Sequence, residues 1–101
     1  APAMELILRL RQEGCRIRAF DPQAMKKASG EIPEIFCGRD PYEAAEGAEA
    51  LVLATEWPEF LELDWARMRR VMARPFILDG RNFLPRSLVT ASGFEYVGMG
   101  R

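Results

Sequence analysis

The chain has 101 residues, enough for one domain around one core, and its 49% hydrophobic content argues against disorder. Fourteen basic and 15 acidic residues leave a net charge of −1, so no basic excess draws it to nucleic acid or to an anionic membrane surface. No apolar run approaches the length of a membrane span, and Ala1-Pro2-Ala3-Met4-Glu5 lacks the basic-then-apolar pattern of a secretion signal.

In chain order, Ala3, Leu6, Ile7 and Leu10 recur at helical spacing, with Pro2 suited to a first turn and Gly14 to a C-terminal cap. The alternation Arg16-Ile17-Arg18-Ala19-Phe20-Asp21 predicts a short strand. Asp21-Pro22 reads as an N-cap followed by proline at the first helical position, opening a helix to about Ala28, with Ser29 to Pro33 as a loop. Glu34 to Cys37 is a second strand. Asp40-Pro41-Tyr42-Glu43 repeats the cap-then-proline signal with the spacing of a capping box, and that helix stops at Gly47. Ala50 to Ala54 is continuously apolar, as a central parallel strand buried on both faces should be. Asp64 caps a helix with Trp65, Met68, Val71 and Met72 on one face, ended by Pro75. Phe76 to Asp79 is another buried strand, Pro85 to Ser92 a short helix closed by Gly93, and Phe94 to Val97 the last strand. This rhythm predicts a single α/β domain over 1–101, a Rossmann-like three-layer sandwich with a mostly parallel five-stranded sheet. Such chains begin with a strand, whereas this one begins with a helix. The first central strand of the usual fold is therefore expected to be missing, through an N-terminal truncation.

There is no histidine. That removes Ser–His and Cys–His nucleophile pairs, the imidazole general base and histidine-based zinc sites. Cys15 and Cys37 are too few for a disulfide framework, read as small buried apolar residues, and fit a reducing, cytoplasmic setting. Ligands of open α/β sheets bind outside the carboxyl ends of the strands, so the residues there carry the functional question. Asp79-Gly80-Arg81-Asn82 is the strongest candidate: glycine allows a sharp turn and the arginine fork can hold a phosphate. Its structural alternative is a cap by Asp79 with Arg81 in a surface ion pair. Thr55 and Glu56 could bond a ribose or sugar hydroxyl, or they could belong to a loop-to-helix cap with Trp57 packing nearby. Asp21 is either a ribose-binding carboxylate or the N-cap already named. Residue chemistry alone favours the structural alternative in each case. Gly98-Met99-Gly100 has no helix after it, and no G-x-G-x-x-G is present, so no dinucleotide cofactor is expected on this chain. Arg67, Arg69, Arg70 and Arg74 read as a solvated helix face or, second, a subunit contact.

Taken in order, Phe20-Asp21-Pro22, Asp40-Pro41-Tyr42-Glu43-Ala44, Gly47-Ala48-Glu49-Ala50-Leu51-Val52, Thr55-Glu56-Trp57, Phe60-Leu61-Glu62-Leu63-Asp64, Asp79-Gly80-Arg81-Asn82 and the segment from Gly93 to Arg101 resemble the C-terminal, nucleotide-sugar-binding domain of the UDP-glucose 6-dehydrogenase family, which includes GDP-mannose dehydrogenases. Thr55-Glu56-Trp57 with Asp79-Gly80-Arg81-Asn82 leans toward the UDP-sugar branch. The resemblance covers essentially the whole chain. It implies the NAD-dependent oxidation of the sugar C6 alcohol of UDP-glucose to a carboxylate, with NAD held by a separate Rossmann domain and the catalytic cysteine outside this chain. Neither Cys15 nor Cys37 matches that cysteine.

Arg81 matches the family arginine that reaches the nucleotide-sugar. Asp79 and Asn82 match the motif and can act by shaping the turn. The family's preceding strand, its lysine-bearing loop and an aromatic neighbour of the UDP site have no counterpart here. The expected partners are UDP-glucose or a similar UDP-sugar, the remaining dehydrogenase domains and further copies of the chain, with neither nucleic acid nor membrane. The alternative is a stand-alone α/β interaction or dimerisation module that binds no nucleotide. An independent enzyme is a third reading, opposed by the missing histidine.

Overall fold

A computed structural model describes residues 2–21 and 35–100. The helix expected from Pro22 to Ala28 and the loop from Ser29 to Pro33 lie outside the described residues. The chain falls into two compact units, 1–44 and 45–101, each described by itself.

The first unit opens with α1, Pro2–Gln12. It ends as the sequence predicts, and the hydrogen bonds show why. Gly14 sits at φ +89°. Its N–H donates to the Arg11 carbonyl and the Cys15 N–H to the Leu10 carbonyl. That pair of contacts is a Schellman closure, which needs a residue that tolerates the left-handed conformation. Cys15 is exposed, correcting its reading as a buried residue. It stands just outside the helix terminus, where its backbone closes the helix and its side chain meets solvent. Two short parallel strands follow, β1 (Arg18–Ala19) and β2 (Phe36–Cys37). The Arg18 guanidinium lies 4.0 Å from the centre of the Phe36 ring and donates to the carbonyls of Glu43 and Ala44.

The next helix, α2, is Pro41–Ala45. Asp40 caps it, accepting from the Glu43 N–H at 2.8 Å. The reciprocal half of the expected capping box is displaced by one residue. The Glu43 carboxylate accepts from the Arg39 N–H at 2.7 Å and from the Arg39 guanidinium, so the arginine side chain draws it past Asp40. These bonds, the backbone one foremost, hold the Glu43 carboxyl below its ordinary pKa. Gly38 is required by space, since a Cβ there would lie 2.6 Å from the Ala44 backbone nitrogen.

The second unit is a three-stranded parallel sheet ordered β3-β4-β5, with β3 at Leu51–Leu53, β4 at Phe76–Asp79 and β5 at Glu95–Gly98. Within it β4 is central and β3 is an edge, whereas the continuous apolar run of β3 suggested a central strand. Leu53 is buried, while Leu51 and Val52 are half-buried. The α3 helix, Trp65–Val71, is capped by Asp64, which accepts from the Arg67 N–H at 3.0 Å. It ends before Pro75, as predicted. A 3-10 helix at Pro58–Glu62 and α4 at Arg86–Thr90 complete the unit.

The period of two along β4 and β5 divides the sheet into unequal faces. Ile77 and Asp79 point to the same side as Tyr96 and Gly98, and all four are buried. The buried apolar residues of the unit include Trp65, Met68, Leu84, Val89 and Phe94. Trp65 meets Phe94 edge-to-face with centroids 5.7 Å apart, a favoured aromatic geometry. Phe76 and Leu78, on the other side, are half-buried. Each sheet, β1 with β2 in the first unit and β3-β4-β5 in the second, is parallel throughout.

Candidate functional site

The carboxyl ends of β3 and β4 bring together the residues singled out in the sequence. In the ladder Leu53 pairs with Asp79, and just beyond it the Gly80 N–H donates to the Leu53 carbonyl at 2.9 Å. A Cβ on Gly80 would lie 3.0 Å from that carbonyl oxygen. Glycine therefore serves a close approach, which carries the next residue, Arg81, alongside the loop that leaves β3 through Thr55 and Glu56.

Asp79 fixes the turn from beneath. It is the fully buried charged residue of the described structure, at 0% exposure. Its Oδ1 accepts from the Arg81 N–H at 3.0 Å. Its Oδ2 accepts from the Phe83 and Leu84 N–H groups and from the Tyr96 hydroxyl, each at 2.8 Å. Burial pushes the Asp79 carboxyl up. The bonds from Leu84, Tyr96, Arg81 and Phe83 together outweigh it and leave the pKa below its ordinary value. The carboxylate thus accepts from four of the protein's own donors, in keeping with the turn-shaping role that the sequence offered for it.

Asn82 fixes the turn from the other side. Its φ of 51° lies in the left-handed region, which asparagine tolerates better than most residues. The amide nitrogen donates to the Met99 carbonyl and the amide oxygen accepts from the Met99 N–H, both at 2.8 Å. This reciprocal pair ties the turn after β4 to the segment after β5. Asn82, too, is engaged with the protein.

Arg81 stands between these two anchors with its side chain half-exposed. Its Nε and Nη2 donate to Oε2 of Glu56 at 3.1 and 2.7 Å. Glu56 therefore faces a cation, the ion pair that the sequence offered as one alternative for Arg81. Thr55 is half-buried in the same loop. Trp57 stacks on Phe60, with centroids 6.0 Å apart and planes 12° from parallel, and stands at the start of the 3-10 helix. Tyr96 and the backbone of Met99 are parts of the site that sequence motifs missed. The alternation in β5, which puts Tyr96 on the same face as Asp79, was the available signal. Among the described residues no group of three histidine, cysteine, aspartate or glutamate side chains could hold a metal ion.

The profile of the UDP-glucose/GDP-mannose dehydrogenase family, UDP binding domain, matches residues 1–86. This chain belongs to that family. It is 41% identical over its whole length to UDP-glucose 6-dehydrogenase of Rhizobium meliloti (strain 1021), covering 23% of that protein. To UDP-glucose 6-dehydrogenase of Pseudomonas aeruginosa it is 40% identical, covering 24%, and to TuaD of Bacillus subtilis 36%, covering 22%. The chain thus spans about a quarter of the length of these curated relatives. A solved structure of a UDP-D-ManNAc dehydrogenase from Pyrococcus horikoshii superposes with a TM-score of 0.55 at 22% identity, over 98% of this chain and 30% of that one. That likeness establishes the fold as Rossmann-like α/β. The match to the UDP binding domain agrees with the sequence resemblance along the chain.

Proposed function

We propose that residues 1–101 form the UDP-sugar-binding domain of an NAD-dependent UDP-glucose 6-dehydrogenase, with Arg81 holding the phosphates of the nucleotide-sugar. One observation carries this reading. Arg81 is a half-exposed guanidinium at the carboxyl end of a parallel sheet, on a turn immobilised by Asp79 and Asn82. A fixed planar fork at that position suits a diphosphate, which offers paired oxygens to paired N–H donors. Asp79 and Asn82 shape the loop, and Thr55 and Glu56 border it from β3.

Oxidation of UDP-glucose would then need the remaining dehydrogenase domains, with NAD and the catalytic cysteine contributed there. Identity with UDP-glucose 6-dehydrogenases supports the choice of UDP-glucose as the sugar nucleotide. Assembly into a homo-oligomer and a cytoplasmic location complete the reading. The two free cysteines suit a reducing compartment.

Calorimetric titration with UDP and UDP-glucose tests the proposal. Arg81→Ala is expected to weaken binding by roughly 10- to 100-fold, the value of charge-assisted bonds to a phosphate. Arg81→Lys recovers part of that, since lysine keeps the charge and loses the fork. An interaction module without nucleotide binding predicts no heat with either ligand.

A further inference from the structure

We infer that Glu56 is a positioning residue for Arg81, holding one edge of its guanidinium so that the other edge is presented to the phosphates. This rests on the reading of Arg81 as a phosphate ligand.

A guanidinium has a side-on edge, made by Nε–H and one Nη2–H, and an end-on edge, made by Nη1–H and the other Nη2–H. One oxygen of Glu56, Oε2, takes the side-on edge of Arg81 at 3.1 and 2.7 Å. The end-on edge lies outside that contact and remains a complete bidentate fork. The two residues are 25 positions apart and come from different strand ends, so the contact is made by the fold and not by local sequence. Glu56 sits on the loop leaving β3, and the Gly80–Leu53 hydrogen bond keeps that strand end against the turn of Arg81. The backbone of Arg81 is fixed by Asp79 and Asn82. Glu56 adds the one restraint these cannot supply, on the far end of a side chain with many rotamers.

Two effects of Glu56 oppose each other. Its charge repels a phosphate, and its geometry removes rotational freedom that Arg81 would otherwise lose on binding. The side chains are 51% and 49% exposed. Water and salt screen the longer-range repulsion at such a site, while the hydrogen-bond geometry persists. Geometry therefore prevails. The same contact gives Glu56 a role other than that of a sugar-hydroxyl ligand.

A double-mutant cycle read by calorimetry with UDP separates these effects, in the full-length polypeptide that carries this chain. Glu56→Ala is expected to weaken binding by about 2- to 5-fold, the range of an exposed ion pair expressed as affinity. Glu56→Gln keeps an acceptor for Nε and Nη2 without the charge, and is expected to recover affinity to within about twofold of the parent. In the Arg81→Ala background, Glu56→Ala should change nothing further. Unaltered melting temperatures exclude unfolding as the cause. Affinity equal to or tighter than the parent in Glu56→Ala, with Arg81→Ala still impaired, overturns the positioning role alone. No UDP binding by the parent, or undiminished binding in Arg81→Ala, overturns the Arg81 reading and this inference with it.

Discussion

Asp79 is the residue on which the turn depends, and its four donors make its replacement informative. Asparagine in its place would offer one oxygen to donors that now share two. Asp79→Asn is expected to lower stability at neutral pH by roughly 2–4 kcal/mol, measured by urea unfolding. The pH dependence has a definite sign. A carboxyl whose pKa is depressed in the folded state stabilises that state above the unfolded value, near 4, and the contribution is lost as pH falls from there through the depressed value. The parent protein should therefore lose stability below about pH 4 more steeply than Asp79→Asn. Matching acid limbs for the two proteins would remove Asp79 from this role. Residue chemistry alone favoured a surface ion pair for Arg81, and only the ordered match of motifs along the chain pointed to a phosphate ligand. The sequence left Asp79 ambiguous, because a carboxylate at a strand end looks the same whether it faces a ligand or donors of its own chain. Its partners, Arg81, Phe83 and Leu84 in the turn and Tyr96 on β5, become visible only in the folded chain.

At the scale of elements, caps were the most legible feature. The closure of α1 at Gly14 and the caps of α2 and α3 by Asp40 and Asp64 follow from donors and acceptors a few residues apart. Such local chemistry is written in consecutive letters. The edge position of β3 was not legible, since continuous apolar character reports burial and not which strand lies beside it. Close packing was also hidden. Gly93 follows α4 at φ +93°, and a Cβ there would approach Nε of Arg69 to 2.5 Å. The backbone angle penalises any side chain, while the arginine end can move aside. Gly93→Ala is thus expected to cost about 1–2 kcal/mol, mainly through the backbone, by denaturant titration. Gly38→Ala should cost more, because the obstacle there is the backbone nitrogen of Ala44 at 2.6 Å. Equal losses at the two sites would contradict this ordering.

At the scale of the whole chain, each of the two sheets, β1-β2 and β3-β4-β5, is parallel, as the alternation of helices and strands anticipated. Parallel strands need crossover segments, and those segments appear in the sequence as helices with caps between apolar runs. The function was legible only through the order of several weak motifs, since each alone has a structural explanation. On the proposed function, this chain recognises the nucleotide and the chemistry belongs to the remainder of a dehydrogenase. The chain by itself, supplied with NAD and UDP-glucose, is then expected to give no NADH absorbance.

The most direct test of the central claim is a nuclear magnetic resonance titration of the chain with UDP, following backbone amides and the Arg81 Nε–H. The largest shifts are expected on Gly80, Arg81 and Asn82 and on the Arg81 side chain, and are expected to vanish in Arg81→Ala. Saturable UDP binding whose shifts leave this turn untouched would contradict that claim.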